Sequence, residues 1–203
     1  MNRPNILFVG KMGTGKSILA DKLRNNLQYK IISFAFPLKV LAKEKLGYED
    51  KSKRYILQRL GTLGRFIDED LWVKMSYATI KYFEDYIEGE HNFVIPDTRY
   101  ANEVDFFKMI DKNWIVIKLV CYENIRFERL EKRDGFVDKE RMNHSSETEL
   151  EFIQPDYLID TSGNIEDNYE QLMNIIDKEL NKKLNKYDDM IKENNDGCWN
   201  EMW

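Results

Sequence analysis

The stretch that decides the fold is ILFVGKMGTGKSILADKL, residues 6–23. It joins an apolar run, Ile6–Val9, to a helical pattern that begins at Ser17, with a glycine-rich turn between them. The turn, GKMGTGKS over residues 10–17, matches the pattern G-x-x-x-x-G-K-[ST]. A buried strand, this turn and a helix in succession predict a loop that binds nucleotide phosphates, because glycines let successive backbone N–H groups point inward at an anion.

The other positions of this loop also have chemical reasons. The helix that begins near Gly15 adds the positive end of its dipole. Lys16 is expected to neutralise the β- and γ-phosphates, and the Ser17 hydroxyl is a natural ligand for Mg²⁺. The predicted nucleotide contacts are Gly10, Met12, Gly13, Thr14, Gly15, Lys16 and Ser17.

The composition describes a globular chain with a heavily charged surface. Its 203 residues are 42% hydrophobic and 33% charged, with a net charge of -5. This balance argues against nucleic acid or an anionic membrane as a partner, because both bind to basic faces. The chain has two cysteines without metal-ligand spacing, no signal peptide and no apolar run near the ~20 residues of a membrane span. We expect a cytoplasmic protein, and a homodimer stays open.

Five short apolar runs predict the strands of one sheet. Their apolarity is continuous, which is typical of parallel strands that are covered on both faces. They are Ile6–Val9, Ile31–Phe34, Phe93–Ile95, Trp114–Val120 and Tyr157–Ile159. Helical patterns lie between and after them, over Ser17–Leu27, Leu38–Leu46, Arg54–Ile67, Leu71–Ile87, Glu103–Ile110, Asn124–Lys132 and Ile165–Leu180. Strands alternating with helices predict an α/β fold with a three-layer, doubly wound, five-stranded parallel sheet.

Two short matches to GTPase motifs lie at the wrong places in this order. NKYD, Asn185–Asp188, falls in the polar helix beyond the last strand, and DTSG, Asp160–Gly163, follows the fifth strand instead of the third. An oligomeric motor usually has a run of acidic residues at the end of its third strand, where this chain has VIPDTR. The sequence therefore favours neither a switch GTPase nor a motor.

The third strand leads into NFVIPDTRYANEVDFF, residues 92–107. Asp97 follows this strand at the carboxyl edge, where open α/β sheets bind their ligands. A carboxylate there can hold a Mg²⁺-bound water or accept a hydrogen bond from the attacking group. Arg99 can bridge donor and acceptor phosphates with its planar guanidinium. The alternative is an Asp–Arg pair that ties a loop to the start of a helix.

Four stretches, taken with the phosphate-binding loop, resemble one known family. SFAFPLKVLA, LQRLGTLGR followed by LWVKM, VIPDTRYANEVDFF and NHSSETEL occur in this order. The set is similar to the deoxynucleoside monophosphate kinases of bacteriophages, a branch of the P-loop nucleoside monophosphate kinases. The resemblance spans about residues 5–175.

This resemblance implies roles for individual residues. The catalytic residues would be Lys16, Asp97, Arg99 and Arg129, with Ser17 and Asp97 holding Mg²⁺ and Thr161 and Gly163 lying beside the adenine of ATP. The acceptor would be bound by Lys39, Arg65, Trp72, Arg99, Arg133, His144 and Glu147. Competing interpretations stay open for four of these features. They are Lys39 as a solvated lysine, Trp72 as a core residue, and the arginines of ENIRFERLEKRDG as part of an exposed, salt-bridged helix. The fourth is HSSETEL, where His144 and Glu147 could anchor the lid instead, or where Ser145 or Ser146 could simply cap a helix.

The resemblance also implies a domain plan and a reaction. Residues 1–180 would form one kinase domain, with a helical acceptor-binding region over about 36–90 and a lid over about 122–150. Residues 181–203 would be a helical extension or tail. The reaction would be transfer of a phosphoryl group from ATP, with Mg²⁺, to a deoxynucleoside 5′-monophosphate, in the host cytoplasm if the protein is viral. The alternatives are another small-molecule kinase, of the dephospho-coenzyme A or phosphomevalonate type, and a protein that binds ATP without transferring phosphate.

Overall fold

Five strands form a single parallel sheet. They are β1 (Asn5–Val9), β2 (Lys30–Ile31), β3 (Phe93–Thr98), β4 (Trp114–Val120) and β5 (Tyr157–Asp160). Their order across the sheet is β2-β3-β1-β4-β5. The structure is a computed structural model that describes residues 3–48, 54–135 and 149–197. The predicted α/β fold with a five-stranded parallel sheet is confirmed.

Strand β1 lies at the centre of the sheet, and all five of its residues are buried. Ile6 is in register with Val94 of β3 on one side and with Ile115 of β4 on the other. Its side chains alternate between the two faces, so that Leu7 and Val9 enter one core while Ile6 and Phe8 enter the other. This strand therefore joins both hydrophobic cores and delivers the chain to the phosphate-binding loop.

Seven helices and one short 3₁₀ turn are present in the described residues. They are α1 (Lys16–Leu27), α2 (Ala35–Leu46), α3 (Arg54–Ile67), α4 (Leu71–Tyr86), α5 (Ala101–Ile110), α6 (Glu123–Asp134) and α7 (Ile165–Gly197), with the turn at Glu149–Glu151. Helices α4 and α5 cover one face of the sheet through Val73, Ile80, Val104 and Phe107. Helices α1 and α7 cover the other face through Leu19, Leu23, Leu172 and Ile176. None of the helices within the described ranges is both long enough and apolar enough to span a membrane.

Several element boundaries differ from the prediction: α2 begins at Ala35, three residues before its predicted start, and β3 ends at Thr98, three residues after its predicted end. Strand β2 was expected over Ile31–Phe34 but ends at Ile31, because Ser33 and Phe34 are bonded to Asp97 where the chain turns into α2. Helix α5 begins at Ala101, two residues before its predicted start. Helix α7 continues from the predicted end at Leu180 to Gly197.

Helices α2, α3 and α4 lie in the region predicted to bind the acceptor, and Trp72 fixes how α4 packs on α3. The indole Nε1 of Trp72 donates to the carbonyl oxygen of Gly61 at 3.0 Å. A Cβ atom on Gly64 would lie only 2.3 Å from Cζ2 of the same ring. With 6% of its surface exposed, Trp72 is a packing residue. These contacts favour the interpretation of Trp72 as a core residue, and a place against the acceptor base stays a prediction.

We predict that Gly64→Ala lowers the free energy of unfolding, because a methyl group would collide with the Trp72 ring. Overpacking costs about 1–3 kcal/mol, while alanine in a helix gains about 1 kcal/mol over glycine. The net loss is therefore up to about 2 kcal/mol, measured by urea denaturation. The matched control is Gly61→Ala, whose Cβ would meet Leu38 at an ordinary 3.4 Å. Equal stability of the two variants would contradict the packing described here.

Candidate functional site

The phosphate-binding loop between β1 and α1 is held in place by α6. Gly13 has a left-handed backbone with φ 88°, and a Cβ atom there would lie 3.0 Å from the carbonyl oxygen of Arg126. Arg126 is buried, and its Nη1 donates to the carbonyl oxygen of Met12 at 3.3 Å. Thr14 is also buried, with its hydroxyl bonded to the carbonyl oxygen of Lys11 at 2.9 Å. These contacts shape the loop before any ligand arrives.

Helix α1 presents its amino end to this loop. Gly15 is the N-cap residue, with φ 91°, and no side chain caps the helix. The first N–H groups of an α-helix have no partner within it, so they suit an anion. The ammonium group of Lys16 reaches back across the loop to the carbonyl oxygens of Gly10 and Lys11, the latter at 2.9 Å. The loop therefore presents helix N–H groups and a lysine on one surface.

A cavity of about 530 Å³ opens above this loop at the carboxyl edge of the sheet. It is lined by residues from the loop and α1, from the end of β3, from α6 and from the start of α7. They include Met12, Gly13, Thr14, Gly15, Lys16, Ser17, Pro96, Asp97, Arg99, Arg129, Leu130, Lys132, Arg133, Thr161, Ile165 and Asn168. Five of these residues are cationic and only Asp97 is anionic. The cavity is therefore basic although the whole chain carries a charge of -5.

Asp97 anchors the start of α2 to the end of β3. Its carboxylate accepts hydrogen bonds from the Ser33 hydroxyl at 2.7 Å and from the backbone N–H groups of Phe34 at 3.1 Å and Ala35 at 3.0 Å. A carboxylate at a helix amino end also interacts favourably with the helix dipole. Asp97 thus positions the helical region while its side chain lines the cavity.

Glu103 holds the backbone that carries Arg99. Its Oε2 accepts the N–H of Arg99 at 2.6 Å and the N–H of Tyr100 at 3.1 Å. The side chain is only 6% exposed. Burial raises the pKa of the Glu103 carboxyl to about 8, against the two N–H groups that lower it. Glu103 therefore fixes the backbone of Arg99, whose side chain lines the cavity.

Arg65 lies beside the segment that follows β3, in the region predicted to bind the acceptor. Its guanidinium carbon is 4.4 Å from the centroid of the Tyr100 ring, a cation–π distance. Its charge acts on Glu103, where it lowers the pKa of the carboxyl. Because Arg65 belongs to α3, its contact with Tyr100 joins the helices α2–α4 to the segment that follows β3. Arg65 does not line the cavity itself but stands next to the residues that do.

The arginines of α6 have three different environments. Arg126 is bonded to the phosphate-binding loop. The guanidinium of Arg129 donates to the carbonyl oxygens of Thr161 at 2.7 Å and Gly163 at 3.2 Å. Arg133 is half exposed, pairs with Asp134 at 2.7 Å and lines the cavity. Arg129 links α6 to the loop before α7 in this structure, and its predicted catalytic role stays a prediction.

The loop between β5 and α7 forms the far wall of the cavity. Thr161 is buried, and its hydroxyl donates to the carbonyl oxygen of Val120 at 3.0 Å. Asn164 caps α7 by accepting the N–H groups of Glu166 and Asp167, both at 2.9 Å. Asn168, on the first turn of α7, is buried and lines the cavity. This wall is polar but carries no charge of its own, which suits a nucleobase better than a phosphate.

The residues at this site fit a magnesium ion that is carried by nucleotide phosphates. The Ser17 hydroxyl is exposed at the start of α1, and Asp97 lies across the cavity from the loop. A carboxylate offers about four acceptor positions, of which Asp97 uses three, so one stays for a metal-bound water. Within residues 3–48, 54–135 and 149–197, no three His, Cys, Asp or Glu side chains form a metal site of their own. The Ser17 hydroxyl and the Asp97 carboxylate together match Mg²⁺, which usually keeps several waters and takes few protein ligands.

Several predicted site residues lie elsewhere. Lys39 is exposed on α2 and does not line the cavity. Gly163 is not in the cavity wall, but its carbonyl oxygen holds Arg129. His144 and Glu147 lie outside the described residues, as does the part of the predicted lid from 136 to 148.

Sequence reasoning missed Glu103, Tyr100 and Asn168. A glutamate at the third position of a helix is the signal that could have found Glu103, since such a residue often bonds back to the N–H of the N-cap. The prediction placed the start of α5 at Glu103 itself and so hid this signal. Tyr100 and Asn168 carry no local signal, because their partners come from distant segments.

A family model described as AAA domain matches residues 6–151 of the chain. No curated protein matches its sequence. Solved structures with a similar fold include TT1252 from Thermus thermophilus, at 17% identity over 88% of this chain and 99% of that one, with a TM-score of 0.56. A gluconokinase from Sinorhizobium meliloti 1021 has 16% identity over 89% and 97%, with a TM-score of 0.52. A shikimate kinase from Bacteroides thetaiotaomicron has 15% identity over 87% and 99%, with a TM-score of 0.50.

The buried carboxyl of Glu103 predicts a pH dependence of stability. The unfolded chain releases this proton near pH 4.5, whereas the folded chain keeps it to about pH 8. The folded state thus binds more protons between these values, so its stability falls as the pH rises from about 5 to 8. Glu103→Gln keeps the acceptor oxygen without the titration.

We therefore expect Glu103→Gln to gain stability over the wild type as the pH rises across that range, measured as the difference in free energy of unfolding by urea titration. Glu88→Gln, at an exposed residue, serves as the control and should show no such trend. Parallel pH profiles for the wild type and Glu103→Gln would refute a protonated Glu103.

Proposed function

The chain belongs to the AAA domain family, and on that premise we propose that it is an ATP-dependent kinase that phosphorylates a deoxynucleoside 5′-monophosphate. One observation carries the proposal: five cationic side chains and a single carboxylate converge on a cavity whose floor is the phosphate-binding loop. A cavity of this kind suits two polyanions that meet end to end. The resemblance in sequence to bacteriophage deoxynucleoside monophosphate kinases supports the choice of acceptor.

The donor nucleotide lies along the loop from α1 toward α7. Its phosphates take the amino end of α1 and the ammonium of Lys16, which exchanges the loop carbonyls for phosphate oxygens. Its base lies toward Thr161 and Asn168, on the uncharged polar wall. Arg129 stabilises that wall by holding the carbonyl oxygens of Thr161 and Gly163.

The acceptor lies on the side of the helices α2–α4. Arg99 stands between the two substrates at the end of β3, with its backbone held by Glu103. Arg65 is stacked on Tyr100, the next residue, and is close enough to bind the acceptor phosphate after a change of rotamer. Lys39 projects from α2 on the same side and extends the positive surface that an incoming monophosphate meets.

The reaction needs alignment and neutralisation of charge more than proton transfer. An oxygen of the acceptor monophosphate attacks the γ-phosphorus, the bond from phosphorus to the bridging oxygen of ADP breaks, and ADP leaves with that electron pair. The acceptor oxygen is already anionic, so no general base is required. Lys16 and Arg99 stabilise the charge that spreads over the transferring group. When bound, Mg²⁺ held through Ser17 and a water on Asp97 neutralises the donor phosphates.

A second candidate is a kinase whose acceptor is a hydroxyl group. The observation that favours it is Asp97, because a hydroxyl that attacks phosphorus loses a proton and a carboxylate in the cavity can accept it. Its three hydrogen bonds to the start of α2 argue for the first candidate, since they occupy most of its acceptor capacity. Dephospho-coenzyme A is a hydroxyl acceptor and belongs to this second candidate. Phosphomevalonate accepts on a phosphate, as a deoxynucleoside monophosphate does. A protein that only binds ATP would form no product with any acceptor.

Replacement of Lys16 tests the donor site. We expect Lys16→Ala to lower the turnover of purified protein by at least about 100-fold, because a preorganised cation is lost where charge develops. Formation of ADP is followed with ATP, Mg²⁺ and each common deoxynucleoside monophosphate, and separately with hydroxyl acceptors. Lys45→Ala, at an exposed site on α2, is the matched control and should keep full activity. Near-normal transfer by Lys16→Ala would remove the donor site from this loop.

Replacement of Arg65 tests the acceptor side. We expect Arg65→Ala to raise the KM for the monophosphate by about 10- to 100-fold with little change in the KM for ATP, since a hydrogen bond to a charged group contributes about 1.5–3 kcal/mol. Arg59→Ala, on the same helix and over Tyr55, is the control. An equal rise in both KM values would show that Arg65 acts on the fold and not on the acceptor.

A further inference from the structure

A second cavity, of about 470 Å³, lies at the edge of the sheet where the strands begin. Trp114 and Tyr157, the first residues of β4 and β5, line it. The candidate functional site lies at the opposite edge, where these parallel strands end. The two cavities have no lining residue in common. The second one, which we call the amino-edge cavity, is therefore separate from the site of the proposed reaction.

Charged side chains converge on the amino-edge cavity from three segments of the chain. Its lysines come from the last turn of α5, from the connection between α5 and β4, and from α7. They are Lys108, Lys112, Lys178 and Lys182, and the two carboxylates beside them are Asp156 and Glu179. Four positive and two negative charges leave two positive charges in excess, although the whole chain carries -5.

The carboxylate of Asp156 is committed to partners within the protein. It accepts the backbone N–H of Val116 at 2.7 Å and the ammonium group of Lys108 at 2.7 Å. The N–H of Asp156 donates in return to the carbonyl oxygen of Val116 at 2.9 Å. Asp156 therefore fixes the chain before β5 against β4 and neutralises the first of the four lysines.

The carboxylate of Glu179 neutralises a second lysine. It accepts the ammonium group of Lys182 at 2.6 Å and is also bonded to the Tyr157 hydroxyl. Lys182 donates to the same hydroxyl at 2.9 Å, so these three side chains bond to one another. The negative charges of the amino-edge cavity are therefore already matched by two of its lysines.

The charges of Lys112 and Lys178 are not compensated in this way. Neither lysine forms an ion pair with a carboxylate within residues 3–48, 54–135 and 149–197. The ammonium groups of Lys178 and Lys182 each lie 5.5 Å from the centroid of the Tyr157 ring. Like charges one turn apart on a helix repel each other. An anion bound to Lys178 would reduce this repulsion.

We propose that the amino-edge cavity binds a diphosphate group, that is, two linked phosphates. Lys112 and Lys178 come from different segments, so a ligand with oxygens on two phosphorus atoms can bond to both ammonium groups at once. Lysine binds phosphate as a compact positive charge with three donors. A diphosphate group carries enough negative charge to neutralise the excess of two positive charges. The proposal does not depend on the proposed function.

The size of the amino-edge cavity allows the diphosphate to be free or to belong to a nucleotide. Small-molecule sites usually enclose about 300–1,000 Å³, and the volume of about 470 Å³ lies within that range. Trp114 and Tyr157 supply aromatic surface beside the lysines. A nucleoside diphosphate would cover this surface with its base, whereas pyrophosphate would leave it uncovered. The diphosphate is the chemistry that both ligands share.

The test is a titration of the isotope-labelled full chain with pyrophosphate, and separately with a nucleoside diphosphate, followed by NMR. The N–H groups of Val116 and Tyr157 report on the amino-edge cavity, and those of Gly13 and Gly15 report on the phosphate-binding loop. We expect Val116 and Tyr157 to shift with a dissociation constant of about 0.1–1 mM at low salt, and more weakly at high salt because ions screen the charges. Tighter binding of the nucleoside diphosphate identifies a nucleotide as the ligand, and equal binding identifies the free diphosphate.

Lys112→Gln combined with Lys178→Gln should raise the dissociation constant at the amino-edge cavity by at least about tenfold. The matched control is Lys45→Gln combined with Lys186→Gln, which removes the same charge outside both cavities and should leave binding unchanged. All four lysines are exposed, so these substitutions should not disturb the fold. Thermal unfolding of each variant checks this.

The proposal is overturned if Val116 and Tyr157 do not shift with either ligand up to about 10 mM, or if both double variants lose binding equally. Lys16→Ala separates this result from the proposed function, because it should remove the shifts of Gly13 and Gly15 alone. Shifts confined to Gly13 and Gly15 would support the donor site and overturn the present proposal. Shifts confined to Val116 and Tyr157 would support the present proposal and count against the donor site.

Discussion

The carboxylate of Asp97 is the interaction on which the arrangement of this protein depends. By binding Ser33 and the N–H groups of Phe34 and Ala35, it ends β2 early and starts α2 directly at the sheet edge. Helix α2 packs on α3, and the hydrogen bond from Trp72 of α4 to Gly61 of α3 joins the third helix to them. A single strand-end residue thus places the whole helical region beside the phosphate-binding loop. Its bonds tie the end of β3 to the start of α2, one wall of the cavity to the helical region.

The cavity shows how an acidic protein can present a basic site. The acidic residues are spread over the outer surface, whereas Lys16, Arg99, Lys132 and Arg133 converge on one opening. The loop, the amino end of α1 and the arginine at the end of β3 are held by bonds within the protein, so little rearrangement is needed when charge develops. Two of the supporting residues, Glu103 and Arg126, are themselves buried and act on the site through the backbone they hold.

Helix α7 serves two parts of the molecule with one continuous face. Its first half closes the core beside α1 and β5, and Asn168 reaches the cavity from its first turn. Beyond the sheet the helix continues to Gly197.

The sequence alone determined the parts of this protein that depend on neighbouring residues. The continuous apolar runs predicted five strands, and the apolar spacing predicted a helix from Arg54 to Ile67, the bounds that α3 has. The pattern of residues 10–17 predicted the phosphate-binding loop. These predictions succeed because periodicity and turn chemistry are local properties. Only the tertiary structure decided which of the candidate residues face one another. Trp72, a candidate for the acceptor site, lies between two helices. Arg129 donates to the carbonyl oxygen of Thr161, 32 residues away in the sequence. The carboxylate of Asp97 accepts hydrogen bonds from the start of a helix that precedes it by 62 residues. These contacts join distant segments, and their energies depend on burial and distance in three dimensions, which no spacing along the chain contains.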